Sequence, residues 1–242
     1  MRFLYFSKRV FKEIVLDPLS IIFGLGFPIV LLFLLSAIQS NIPVSMFEID
    51  SLTPGIAVFS LSFITLFSAL LVSKDRGSLF LQRLFTTEMK PVDFIFGYTL
   101  PLIPLAILQM FVCFAFAVVL GLKISLGILF SILLLIPCAM FYISLGLLFG
   151  SILSDKAVGG ICGALLTNLS AWLSGTWFDM SLVGGWFEKL ANVLPFVHAV
   201  ELGRCALRCD FASALPHLLW VLSYMLVITV IAIAVFKRKM KQ

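Results

Sequence analysis

LSIIFGLGFPIVLLFLLSAI, Leu19–Ile38, decides the fold class, because it is a run of twenty residues without one charge. A helix of that length rises about 30 Å, the thickness of a bilayer's hydrocarbon core. Comparable runs follow at Pro54–Ser73, Phe94–Leu122, within Ile124–Ser154, at Ala157–Phe178 and at Leu215–Phe236. Six helical crossings are expected. Pro101, Pro104 and Pro137 should kink the helices that hold them, as membrane helices tolerate.

The composition agrees. Of 242 residues, 62% are hydrophobic and 12% charged, with 25 Phe and a mean hydropathy of +1.16. Soluble domains are about half apolar and a quarter charged, so a soluble fold could not hide this much apolar surface. The expected class is an all-α integral membrane protein with one domain, and little chain remains for a second. Cys113, Cys138, Cys162, Cys205 and Cys209 form no C-x-x-C pair, and His198 and His217 are the only histidines. Neither a metal site nor a disulfide framework follows. Cys205 and Cys209 stand four apart on a helix, which aims their Cβ atoms poorly for a bridge.

Basic residues are retained on the cytoplasmic side of a membrane. Thirteen fall in one set of connections: Arg2, Lys8, Arg9, Lys12, Lys74, Arg76, Arg83, Lys90, Lys156, Lys237, Arg238, Lys239 and Lys241. Four fall in the other: Lys123, Lys189, Arg204 and Arg208. The chain is therefore expected to be a multi-pass protein of the cell membrane with both termini cytoplasmic. This asymmetry accounts for the net charge of +5 without a nucleic-acid partner.

Residues 1–18 have the basic start of a secretion signal, but their periodicity is helical. Phe3, Phe6, Val10 and Ile14 share one side, and Lys8, Arg9, Lys12 and Glu13 share another. Such a helix lies in the interface against lipid headgroups. It should end at Asp17-Pro18, since the residue before proline disfavours the α region. Residues 19–242 then form the membrane domain.

No Asp, Glu, Lys, Arg or His lies near the centre of a span, which argues against ion-driven transport. The mild polar residues read as interhelical packing: Ser60, Ser62, Thr65 and Ser68 in the second span, Gln109 in the third, Tyr142 and Ser144 in the fourth, Thr167, Asn168 and Ser170 in the fifth. Trp172-Leu173-Ser174-Gly175 resembles the serine motif of an intramembrane protease. That chemistry needs a glycine where Trp172 stands and a histidine within the membrane to activate the serine. His198 and His217 fall in or beside an external connection, and Ser174-Gly175 reads as a helix end.

The connection after the second span reads Ser73-Lys74-Asp75-Arg76-Gly77-Ser78-Leu79-Phe80-Leu81-Gln82-Arg83-Leu84-Phe85-Thr86-Thr87-Glu88-Met89-Lys90-Pro91. Gly77 and Ser78 should break the span and cap a short amphipathic helix over about 77–87. Pro91 is preset for the first position of the next helix. A short helix between two breaks, offering Leu79, Arg83 and Leu84, reads as a docking surface or, more plainly, as a loop.

At this segment the chain resembles the ABC-2 type permease family, the membrane subunits of ATP-binding-cassette exporters. Gly77-Ser78-Leu79, Arg83-Leu84-Phe85-Thr86-Thr87 and Gly97 match the family pattern, with Glu88 where a proline is usual. A second resemblance runs from Leu173-Ser174-Gly175-Thr176-Trp177-Phe178 through Trp186 and Leu194-Pro195 to Arg204, with Gly184-Gly185 in place of a proline before that tryptophan. The resemblance covers nearly the whole chain. It implies an external helical hairpin at about 176–213 before the last span, two six-span subunits, identical or different, and two cytoplasmic ABC ATPase subunits. The chain has no Gly-x-x-x-x-Gly-Lys-[ST] phosphate cradle, so it is not expected to be an enzyme itself. ATP and magnesium would bind the partner, and this chain would hold no cofactor. Gly77, Leu79, Gln82, Arg83, Leu84, Phe85, Thr86 and Thr87 would couple to the ATPase. Phe59, Phe63, Thr65, Asn168 and Trp172 would line the pathway. A mildly polar, aromatic lining suits an amphipathic drug, lipid-like molecule or hydrophobic peptide, with polysaccharide or glycolipid export as the alternative.

Overall fold

The computed structural model describes residues 2–42, 47–78 and 91–239, and every regular element among them is helical. The chain begins with the helix Arg2–Val15. Phe6, Val10 and Ile14 are buried, whereas Lys8, Phe11 and Lys12 are exposed. Phe6 enters a notch on the third span: a Cβ added to Gly97 would lie 2.3 Å from Phe6 Cδ1. The glycine is therefore required by close approach.

Among the described residues, five helices are long and apolar enough to cross a membrane: Ile22–Gln39, Ile49–Gly77, Val92–Val119, Leu126–Ile152 and Phe211–Lys239. The second span begins five residues earlier and ends four later than the apolar run alone indicates. It stops at Gly77, and Ser78 turns to extended backbone. Pro91 opens the next helix as expected, and Pro101 and Pro104 lie within it. The fourth span breaks at Leu135, between Leu126–Leu134 and Ile136–Ile152, beside the Pro137 expected to kink it.

The interval Ala157–Phe178 differs from the expected crossing. Its helix runs only from Asp155 to Trp172, opens as Asp155–Val158, widens to a π-helix over Gly159–Leu166 and closes as Thr167–Trp172. It is not among the five. Gly159, Gly160 and Gly163 dilute its apolar content and supply no packing side chain, Asp155 and Lys156 place two charges in its first turn, and the polar Asn168 interrupts the apolar run. Beyond it, Gly175 (φ +71°) turns the chain where Ser174-Gly175 had read as a helix end. The hairpin before the last span is present as Gly185–Val193 and Pro195–Leu207, bent by 73°; together this pair has the length and apolarity of a broken span or re-entrant loop.

The second span is the axis of the bundle: 83% of its apolar window is buried, against 11% for the last span. Gly146-Leu147-Leu148-Phe149-Gly150 on the fourth span makes this possible. A Cβ on Gly146 would come within 2.5 Å of Thr65 O, and one on Gly150 within 2.6 Å of Ala69 O. Small residues four apart let two membrane helices meet backbone to backbone. The contact brings Thr65 Oγ1 to Tyr142 O (2.9 Å) and Ser68 Oγ to Ile143 O (3.1 Å). Tyr142 Oη meets Ser170 Oγ at 2.6 Å, and Ser144 Oγ meets Thr229 Oγ1 at 2.8 Å. Such hydrogen bonds are worth about 1 kcal/mol each in a membrane. A second π stretch, Ile22–Gly26, lies in the first span, where Gln109 Nε2 of the third span donates to Gly24 O (3.0 Å).

Candidate functional site

At the hairpin end, Arg204 is the organising side chain. Its Nε donates to Ser51 O (3.1 Å) at the head of the second span, and Nη2 donates to Gly175 O (3.0 Å) in the turn after Trp172. Nη1 pairs with Glu201 one turn back, at 2.7 Å. One guanidinium thus ties the second span, that turn and the hairpin. A cleft of about 530 Å³ opens beside it, lined by Trp177, Phe178 and Met180 from the turn region and by Glu188, Asn192 and Glu201 from the hairpin. Asp179 lines it too, held below the usual carboxylate range by the backbone N–H of Ser181, which donates to its Oδ1 at 3.0 Å. A second cleft of about 370 Å³ shares Ser51 and Arg204 and is bordered by Lys123 and Arg208.

An aromatic series descends from the larger cleft. The Trp177 and Phe59 ring centroids are 5.6 Å apart, Phe59 and Phe63 5.6 Å, and Phe63 and Phe27 5.6 Å, each pair edge to face. This geometry suits aromatic quadrupoles. Of the residues expected in a pathway, Phe59 and Phe63 therefore stand together in this series. Trp172 and Asn168 are exposed on the helix Asp155–Trp172, and Asn168 Nδ2 donates to Ala164 O (2.8 Å). Thr65 is fully buried and faces the fourth span instead. Ser174 is also buried; its hydroxyl donates to Ala171 O and meets Thr176 Oγ1, with no histidine among its hydrogen-bond partners.

The opposite, basic end gathers the last turn of the second span. Asp75 is almost wholly buried. Arg9 grips its carboxylate with two bonds of 2.7 Å, and Tyr98 Oη donates a third at 2.7 Å. That hydrogen bonding raises the Arg9 pKa further. Glu13, 3.2 Å from the same guanidinium, is pushed up by burial more than Arg9 pulls it down. Next in sequence, Arg76 donates to the carbonyls of Ser151 and Leu153, which the ending fourth span leaves open. Ser73 Oγ donates to Asp155 Oδ1 (3.0 Å). Ser73, Asp75 and Arg76 thus join the N-terminal helix, the third span, the fourth and the helix after it. Gly77 follows directly. Leu79, Gln82, Arg83, Leu84, Phe85, Thr86 and Thr87 lie outside the described residues.

Reading the sequence alone missed Asp75 as a buried node, because it counted this residue among connection charges. The only signal was one acid, embedded among Lys74, Arg76 and Arg83, beside the end of an apolar run. Among the described residues no group of three or more His, Cys, Asp or Glu could hold a metal ion.

A family model described as ABC-2 type transporter matches residues 1–207. No curated protein matches the chain.

Proposed function

We infer that this chain, which belongs to the ABC-2 type transporter family, is the membrane-spanning permease subunit of an ATP-driven exporter. The family match, covering most of the chain, carries the reading. Because these residues contain no phosphate cradle, hydrolysis is assigned to separate ATPase subunits that bind ATP and magnesium. Two permease subunits, identical or related, would face each other across a pathway. The partly open series Phe27, Phe59, Phe63 and Trp177, with the exposed Asn168 and Trp172 near it in sequence, supports placing the pathway on that side. Thr65 then stands behind the wall, setting the helix spacing. Aromatic edges without fixed charge favour an amphipathic or hydrophobic substrate, whereas stacking on sugars keeps a polysaccharide or glycolipid as the second reading.

The excess of thirteen basic residues over four favours a cytoplasmic position for both termini. The N-terminal helix then lies at the inner headgroups, and the segment Gly77–Thr87 meets the ATPase. Transport would proceed by alternating access, with ATP closing the ATPase pair and the two permease halves tilting in response.

Leu84→Asp tests the coupling assignment. It asks a partner groove to bury an unpaired charge, and loss of a good interface anchor costs about 2 kcal/mol or more, roughly 30-fold in association. The expected outcome is normal membrane insertion with loss of the co-purifying ATPase and of transport. Unchanged partner recovery and unchanged transport at matched expression would return the segment to a plain loop. ATP turnover by the pure chain would overturn the division of labour.

A further inference from the structure

The bend of the hairpin leaves an unusual debt of hydrogen bonds. Pro195 follows the helix Gly185–Val193 with no backbone N–H to offer, so the terminal carbonyls of that helix need donors from elsewhere. Side chains supply them. Trp220 Nε1 (3.1 Å) and Tyr224 Oη (2.8 Å), both on the last span, donate to Val193 O. His198 Nε2 lies 2.8 Å from Asn192 O. On its other side His198 faces the last span, with Nδ1 2.8 Å from Nδ1 of His217 and its ring 5.1 Å from the Trp220 ring.

The partners fix the protons. A carbonyl only accepts, so His198 Nε2 carries a hydrogen, and in the neutral ring Nδ1 is then a bare acceptor. His217 must therefore donate from Nδ1, leaving its own Nε2 bare. A first added proton sits on His217 Nε2 without disturbing the contact, and the charge strengthens it. A second proton can only go to His198 Nδ1. Two N–H groups would then point at each other across 2.8 Å, on two imidazolium rings of like charge. The other charge acting on His217 is Glu201; it is already paired with Arg204 at 2.7 Å and cannot neutralise both rings.

We propose that His198 and His217 form an acid-released latch that holds the bend of the hairpin against the last span. It stays closed with no proton or one proton added and opens with two. Opening removes the histidine tie to the end of the helix Gly185–Val193, which carries Glu188 and Asn192 of the larger cleft and keeps the Trp220 and Tyr224 bonds to Val193 O, so acid at this face loosens one wall of that cleft. The inference needs only this fold and not the transport reading.

The test is a spin-label distance between Lys189→Cys on the hairpin and Ser213→Cys at the head of the last span. The purified chain carries Cys209→Ser to remove its exposed thiol, and pH is stepped from about 8 to about 4.5, across the range in which histidine titrates. The wild-type pair should keep one distance population at neutral pH and lose it to a longer or broader one at the acid end. His217→Gln should abolish this loss, because an amide can donate to a neutral His198 and, turned over, accept from a charged one. A wild-type distance that ignores pH overturns the latch, as does an acid response undiminished in His217→Gln. If His217→Gln inserts poorly, His198→Gln, which keeps a donor toward Asn192 O, gives the same comparison.

Discussion

Arg9→Met should destabilise the protein chiefly by stranding Asp75 rather than by losing an attraction. The Asp75 side chain is 4% exposed and that of Arg9 is 38% exposed. Removing one partner of a fully buried ion pair costs about 3–5 kcal/mol, because the other charge stays buried without compensation. Water reaches the Arg9 side of this pair and screens part of the effect, so about 2–3 kcal/mol is expected. Tyr98→Phe removes one of three hydrogen bonds from the same carboxylate and should cost about 1.5 kcal/mol. The decisive measurement is Asp75→Asn in two backgrounds. Alone it breaks the node and should destabilise. Added to Arg9→Met it deletes the stranded charge and should restore about 1–2 kcal/mol, since neutralising both partners is far less harmful than neutralising one. Reversible unfolding in mixed micelles, read as a double-mutant cycle, gives the four values. An effect of Arg9→Met within about 0.5 kcal/mol, the scale of an ordinary surface change, would refute the reasoning. Further loss when Asp75→Asn is added to Arg9→Met would also refute it.

Gly146→Val should destabilise by about 3 kcal/mol, the upper range of overpacking, because its Cβ would meet the unyielding Thr65 O at 2.5 Å; unfolding in the same micelles checks it, and a neutral result would deny the close helix contact. The Asp179 carboxyl is held below its ordinary pKa, so its contribution is present above the unfolded value near 4 and is lost as pH falls through the lower folded value. Asp179→Asn should flatten that acid limb, measured by hydrogen exchange of the Ser181 amide, and an unaltered limb would count against the Asp179 assignment. An impermeant thiol reagent applied outside intact cells should label the exposed Cys209 and spare the buried Cys205; labelling of Cys209 from the cytoplasm alone would reverse the proposed orientation. Phe63→Ala should lower transport with unchanged recovery of the ATPase partner, whereas transport equal to wild type would remove the aromatic series from the pathway.

The spans were legible because a charge-free run such as Leu19–Ile38 needs no partner to be recognised; length and apolarity suffice. Caps and breaks were legible for the same local reason, at Gly77-Ser78, Pro91, Pro137 and Ser174-Gly175. What depends on a second element was not. Thr65 and Asn168 are both mild polar residues inside apolar runs, yet one is fully buried against Tyr142 O and the other is exposed. Period and composition cannot separate them. The segment expected to cross over Ala157–Phe178 is helical but less apolar than its run suggested: Gly159, Gly160 and Gly163 interrupt the side-chain surface, and the backbone there takes the wider π form. Asp75 was assigned to a connection because the helix persists beyond the last apolar residue of its run. Its burial became evident only when Arg9 and Tyr98 were brought to it from 66 residues before and 23 after.

One part of the helix arrangement was nevertheless present in the sequence, unread. In hydrocarbon a hydroxyl has no water to satisfy it, so a span rich in Ser and Thr is driven to the interior, where backbone carbonyls of neighbours or of its own preceding turn accept. The second span holds Ser60, Ser62, Thr65, Ser68 and Ser73, all buried. The last span is as apolar, yet it carries few hydroxyls and remains largely exposed. Gly146 and Gly150 complete the pattern on the facing helix, where the absence of side chains lets Thr65 and Ser68 reach carbonyls. Hydropathy alone ranks the last span slightly above the second. Hydroxyl content in one helix, together with paired glycines in another, separates the axis of the bundle from the helix on its lipid-facing rim, and both are visible before any coordinates.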